Sequence, residues 1–217
     1  MQYRCQEDER QLQQAASIVR SGGVVVYPTE TLFALGGDPF EAQAADRILA
    51  LKQRKPGKPL PLIIGGMDQL SLVTSWEGPE VLHLASSFWP GPLSVLVPAK
   101  EGLAESVQDG AGWTSVRWTP HPAAQELSLR SGRPLIATSA NLSGQRAVFR
   151  SRDLAPALAS KADLVLDLGP PPAGGPPSTL VKIVQGKGGL IVLRQGAIPV
   201  SSLQAAGYRI FEQAAEE

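Results

Sequence analysis

The sequence predicts an α/β protein built on a twisted, open sheet of mixed parallel and antiparallel strands, flanked by helices. Three observations lead there. Short β-branched runs alternate with amphipathic helical stretches along most of the chain, the pattern of a sheet covered by helices. Two late strand-like runs, 179–184 and 190–194, are separated by Gln185-Gly186-Lys187-Gly188, which reads as a hairpin and brings in antiparallel pairing. The 217 residues, 43% hydrophobic and 18% charged, suffice to bury one core and are too few for two full-sized domains.

Taken in order, Leu12, Ala15, Ala16 and Val19 recur at helical spacing over 8–20, and Gly22-Gly23 ends that helix. Val24-Val25-Val26-Tyr27 is a buried strand. A second helix is expected over 41–54, with Ala45, Ile48, Leu49 and Lys52 on neighbouring turns. A strand follows at 60–64, closed by Gly65-Gly66. Next come a helix at 79–89, strands at 93–97 and 113–118, a helix at 122–130 and a strand at 134–138. A short helix near 152–159 and a strand at 163–168 precede the Gly/Pro-rich loop 169–177. Residues 1–198 are read as one domain. Residues 199–217 are read as a short tail with a brief helix.

Composition narrows the function. Lys plus Arg is 20 and Asp plus Glu is 20, so no uniformly cationic nucleic-acid coat is expected. The single Cys5 makes neither an internal disulfide nor a zinc site. No apolar run nears the ~20 residues of a membrane span, and the polar, acidic N-terminus is unlike a secretory signal, so the expected location is the cytoplasm, with no membrane partner. There is no Walker A run, no G-x-G-x-x-G after a strand and no G-x-S-x-G elbow. His83 and His121, the only histidines, read as structural.

Charge is nevertheless uneven. Lys52, Arg54, Lys55 and Lys58 fall within seven residues, and six arginines (117, 130, 133, 146, 150, 152) face one acid, Glu126, between 110 and 152. Solvated basic faces and an anion-binding cavity both account for this pattern. Polar segments stand just after strands, where open α/β sheets bind ligands. Tyr27-Pro28-Thr29-Glu30-Thr31 carries two hydroxyls and a carboxylate, the make-up of a capped Pro turn or of a site. Lys52-Gln53-Arg54-Lys55-Pro56-Gly57-Lys58 offsets a helix dipole, or grips a polyphosphate through guanidinium forks. Thr138-Ser139-Ala140-Asn141-Leu142-Ser143-Gly144 is a Ser/Thr turn or an anion nest. Ser178-Thr179 enters a strand and Arg194-Gln195-Gly196 leaves one. Arg117 sits mid-strand, facing either water or a cavity.

Together these segments resemble the YrdC-like threonylcarbamoyl-adenylate synthases. The resemblance runs through Gly22 to Thr31, Lys52-x-Arg54 with Pro59-Leu60, Trp89-Pro90-Gly91-Pro92-Leu93, Val116 to Pro122, Pro134 to Gly144, Ser178-Thr179 and Leu193 to Gly196, covering about 10–198. It implies a YrdC-like fold with a concave basic cavity. It also implies an enzyme that joins L-threonine, bicarbonate and ATP, releases pyrophosphate and starts the N6-threonylcarbamoyladenosine modification of tRNA. Mg²⁺ on the phosphates, a downstream tRNA threonylcarbamoyl-transferase machinery and an RNA contact are implied partners. By position, Lys52, Arg54, Ser139 and Asn141 are implied as catalytic. Arg54, Lys58, Ser139, Asn141 and Arg194 are implied for the nucleotide. Thr31, Arg117, Thr138 and Ser178 are implied for threonine, and no residue is implied as a metal ligand. The family's longer members carry a second C-terminal domain, which the tail is too short to form.

The chain departs from the family pattern at Phe33, Ala34, Ile63 and Lys182, where relatives hold Tyr, Gly, in some cases His, and Asp; these positions bear on amino-acid specificity. Two alternatives share the fold: a double-stranded-RNA or ribosome-associated binding protein, and a paralogue using another carbamoyl-type substrate.

Overall fold

The computed structural model describes residues 6–54, 57–76 and 78–212; Cys5 and Lys55 lie outside the described residues. Helix α1 (Gln6–Arg20) buries Leu12, Ala15, Ala16 and Val19 completely, one stripe at the expected spacing. That stripe packs on α5 (Pro122–Ser131) and on β1 (Val25–Pro28). Strand β1 turns through 29–32 into an antiparallel partner, β2 (Phe33–Gly36), with Val25 opposite Gly36 and Pro28 opposite Phe33. The sequence reading contains no such strand. Phe-Ala-Leu-Gly is buried at every position, so it lacks the alternation that marks a half-exposed strand.

Helix α2 (Ala42–Leu51) stops three residues short of the expected end at Arg54. Gln53 stands in the left-handed region at φ 50°, the N–H of Arg54 donates to Leu49 O and that of Gln53 to Ala50 O. These two bonds form a Schellman stop. Glutamine occupies the position where glycine meets no Cβ penalty. Gln53→Gly is therefore expected to raise unfolding stability by about 1 kcal/mol, read as a higher urea midpoint at unchanged slope.

After β3 (Leu62–Ile64) come a 3-10 turn at 67–69 and the one-turn helix α3 (Leu70–Val73), then α4 (Pro79–Phe88), β4 (Leu93–Pro98) and β5 (Trp113–Trp118). The single strand expected at 134–138 is in fact two. Leu135–Ile136 (β6) pairs with β3, and Thr138–Ser139 (β7) pairs with β2 in the other sheet. Residues 151–153 form a 3-10 turn and Pro156–Ala159 a single-turn helix, α6, where one helix was expected. The strand expected at 163–168 is confined to Leu164–Val165 (β8).

The hairpin is present as expected: β9 (Thr179–Val184) pairs antiparallel with β10 (Gly189–Arg194). Helix α7 (Val200–Ala205) then leads to β11 (Arg209–Phe211), which lies parallel to β10 at the sheet edge.

The strands form a four-stranded sheet, β7-β2-β1-β8, and a seven-stranded sheet, β11-β10-β9-β4-β5-β3-β6, each with parallel and antiparallel pairs. The mixed character agrees with the sequence reading. The larger core cluster draws on both sheets, with Val26, Leu35, Leu62, Val95, Val116 and Val181 among its members; the smaller joins α1 and α5 to Tyr27 and Ile63. The sheets meet closely where β2 passes β6. A Cβ on Gly36 would stand 1.7 Å from Ile136 O, so no other residue fits there. Among the described residues, no helix is long and apolar enough to cross a membrane.

Candidate active site

The Pro-Thr-Glu-Thr segment is the turn between β1 and β2. Thr29 closes it, its amide and its hydroxyl both donating to Leu32 O, at 3.0 and 2.7 Å. Thr29 and Thr31 are buried, with their hydroxyls 3.5 Å apart. The loop 169–177 is docked on this turn: Ala173 N–H donates to Glu30 O and Gly174 N–H to Thr31 O. His121 ties the start of that loop, its Nε2 lying 2.8 Å from Pro170 O. Burial lowers the His121 pKa, and because its partner is a carbonyl oxygen, Nε2–H is the donor.

The stop of α2 sends Lys52 and Arg54 in different directions. Lys52 is 3% exposed, and its ammonium donates to Ser139 O and to Asn141 O, the latter at 2.8 Å. Ser143 N–H returns a bond to Lys52 O. Asn141 is turned inward as well, Nδ2 donating to Leu142 O and Gln145 O. Arg54 emerges beyond Gln53 and spends one N–H on Lys58 O, at 2.9 Å.

Enclosure of the Lys52 amine, with Arg54 close by, brings its pKa down from 10.5 to about 8. Below pH 8 folded and unfolded chains both hold this proton. Between 8 and 10.5 only the unfolded chain does, so this group adds stability to the fold as pH rises through that window. A lysine-selective NMR titration is expected to show one amine with a midpoint near 8, absent in Lys52→Met. A Lys52 midpoint near 10.5 would refute the enclosure.

On the seven-stranded sheet, Arg117 in β5 is 7% exposed, and Nη1 lies 2.7 Å from Glu30 Oε1. Ser178 at the entrance of β9 shares a 2.9 Å hydrogen bond with the buried Ser94 of β4. Arg194 at the end of β10 donates to Ser178 O from Nε and Nη2. Burial, then the nearby Arg117 charge, lower the Arg194 pKa. A Cβ on Gly196 would stand 2.1 Å from Pro177 O, which explains the glycine of Arg-Gln-Gly.

These groups converge on a cleft of about 450 Å³ between the two sheets. Thr31, Arg54, Lys58, Arg117, Thr138, Ser139, Ser178 and Arg194 line it, with Asp109 as its one carboxylate among the described residues. Its remaining walls include Leu32, Phe33, Leu62, Leu96, Leu180 and Leu193. Four cationic side chains and several hydroxyls on a largely apolar basin suit a ligand that is anionic at one end and carries a flat apolar body. Eight of the ten residues picked from sequence thus share one cleft. Lys52 and Asn141 stand behind Ser139, holding its loop through the backbone. Glu30, Ser94 and Thr119 support the lining and were missed. Glu30 and Thr119 sit inside quoted motifs, but only the fold brings Glu30 beside Arg117 and Thr119.

Of the four departures, Phe33 and Ala34 line the cleft. Ile63 is wholly buried in the smaller core cluster, and Lys182 lies over the Trp113 ring, 4.8 Å from its centroid. Neither of these two is among the lining residues.

The family model for Sua5, YciO and YrdC proteins, described as telomere recombination, matches residues 17–196. The chain belongs to this family. Within it, a threonylcarbamoyl-AMP synthase from Psychromonas ingrahamii is 35% identical over 172 residues, 76% of this chain and 88% of that protein. One from Pyrococcus abyssi is 30% identical over 197 residues, 91% of this chain. The chain spans 57% of the length of that archaeal relative. The crystal structure of Pyrococcus abyssi Sua5 complexed with L-threonine superposes with a TM-score of 0.82 at 29% identity, covering 92% of this chain and 58% of that one. The Sua5/YciO/YrdC motifs of this chain therefore sit on the family fold.

Proposed function

We propose that this family member is a threonylcarbamoyl-AMP synthase. It joins L-threonine, bicarbonate and ATP, releases pyrophosphate and supplies the adenylate for the N6-threonylcarbamoyladenosine modification of tRNA. The observation that carries this reading is the gathering of Arg54, Lys58, Arg117 and Arg194 with hydroxyls in one cleft, on a chain whose relatives bear that name.

The chemistry asks for such a lining. Threonine's amine captures CO₂ as a carbamate, a carbamate oxygen attacks the α-phosphorus, and pyrophosphate leaves. The carbamate and ATP are both anionic and no covalent enzyme intermediate is required, so positioning and charge stabilisation carry the rate. Arg54 and Lys58 face the leaving phosphates, and Arg194 and Ser139 the nucleotide. Arg117, with Thr31, Thr138 and Ser178 around it, takes the amino acid and its carboxylate. Lys52 and Asn141 act by fixing the backbone that presents Ser139.

Among the described residues no three His, Cys, Asp or Glu side chains gather to hold a metal. Asp109 Oδ1 is already taken by the amides of Ala111 and Trp113. In this reading no described residue is assigned as a metal ligand, and Mg²⁺ enters with the substrate, carried on the triphosphate. The adenylate is handed on to a tRNA-modifying transferase, and the reaction takes place in the cytoplasm.

Incubation with ATP, bicarbonate and single amino acids tests the reading. Pyrophosphate release that requires threonine, with a threonylcarbamoyl adenylate detected by mass, is the expected result. Release with another amino acid alone would identify a paralogue. ATP-independent RNA binding that collapses steeply with salt, without turnover, would identify a binding protein.

A further inference from the structure

Arg117 lines the cleft, whereas Glu30, its ion-pair partner, does not. The pair is deeply placed, with side chains 8% and 15% exposed. Arg117 Nη1 and Glu30 Oε1 attract by charge at 2.7 Å without an aligned hydrogen bond, so the Nη1 hydrogens lack an acceptor. Glu30 itself is held from two further directions. Thr119 donates its hydroxyl to Oε2 at 2.9 Å, and Glu30 O accepts from Ala173 of the docked loop. Among the described residues, Glu30 is the one carboxylate in ion-pair range of Arg117. On β3, Ile63 is opposite Arg117 in register and offers no polar side chain.

A guanidinium recognises a carboxylate through a planar fork, so its orientation decides whether one or two N–H groups reach the ligand. The Arg117 charge is near enough to Arg194 to help lower its pKa, and the Glu30 carboxylate beside Arg117 supplies the opposite charge. Resting on the function proposed above, we infer that Glu30, braced by Thr119, is the positioning residue that aims the Arg117 fork at the amino-acid carboxylate, so that it governs amino-acid affinity without touching substrate.

The test is steady-state kinetics on the full chain. Glu30→Gln keeps shape and removes charge; it is expected to raise the threonine KM about tenfold, with kcat within about threefold and the ATP KM unchanged. Arg117→Lys is expected to raise the threonine KM at least as much, and the double variant no further than Arg117→Lys alone, because Glu30 acts through Arg117. Should Glu30→Gln fail to fold by circular dichroism, Thr119→Val removes the brace together with the acceptor for the His121 amide, and a threonine KM about threefold higher at unchanged ATP KM is expected.

An unchanged threonine KM in the folded variants, equal losses for ATP and threonine, or losses that multiply in the double variant would each overturn the assignment. If the unsubstituted chain uses threonine while Glu30→Gln matches it, only the positioning role falls. If the unsubstituted chain shows no threonine dependence, the proposed function falls and the positioning role with it.

Discussion

Arg54→Ala is expected to lower ATP-dependent pyrophosphate release by about 10²–10³-fold while leaving the unfolding midpoint nearly unchanged. The asymmetry follows from how the side chain is spent. Arg54 lines the cleft and, among the described residues, its guanidinium makes a single internal bond, to Lys58 O. Among the described residues its other N–H donors make no hydrogen bond, and burial already disfavours its charge enough to lower its pKa. An anionic ligand therefore gains a strongly presented fork, and the fold loses little when that fork is removed. Arg54→Lys should recover only part of the rate, since an ammonium supplies charge but not bidentate geometry. Single-turnover release with saturating ATP makes the comparison. Full activity in Arg54→Ala would remove the triphosphate role.

Lys52→Met should harm both activity and stability, unlike Arg54→Ala. The Lys52 ammonium is the donor for two carbonyls, those of Ser139 and Asn141, inside a nearly closed pocket. A methionine fills the volume and satisfies neither, at a cost of about 1–3 kcal/mol for stranded buried acceptors. The same carbonyls frame Ser139, so its hydroxyl is freed to wander, and activity is expected to fall by at least about 10²-fold. Urea denaturation and pyrophosphate release on one preparation give both numbers. A large loss of rate with no loss of stability would mean that the amine meets substrate directly instead of bracing the loop.

The relation between Lys52 and Arg54 shows how far the chain could be read in one dimension. Their spacing was legible as a signature, while charge clustering by itself fitted a solvated basic face as well as an anion site. What was not legible is the left-handed Gln53 between them, because glutamine is an uncommon choice there. That turn points one cation into the protein and the other toward the cleft. A similar limit hid the division of the strand expected at 134–138. The run reads as one strand, yet Leu135–Ile136 and Thr138–Ser139 pair with different sheets. Only the partner strands decide where it breaks. Strand β2 escaped notice because full burial erases alternation.

Ile63 and Lys182 make the converse point. Both stood out in the sequence as substitutions that bear on specificity. In the fold Ile63 is sealed in the core and Lys182 stacks on Trp113, while Phe33 and Ala34 alone among the four departures reach the cleft.

The sequence by itself determined the α/β class, the antiparallel hairpin, the stripe of α1 and the inventory of cations and hydroxyls. Those are local properties, written in periodicity, turn residues and side-chain chemistry. Tertiary structure decided which of these groups share solvent and which face backbone. Arg117 stands 87 residues from Glu30 along the chain (117 minus 30) and 2.7 Å from it in space. Electrostatic pairing depends on distance through the fold, and that distance exists only once both sheets have closed on their common core.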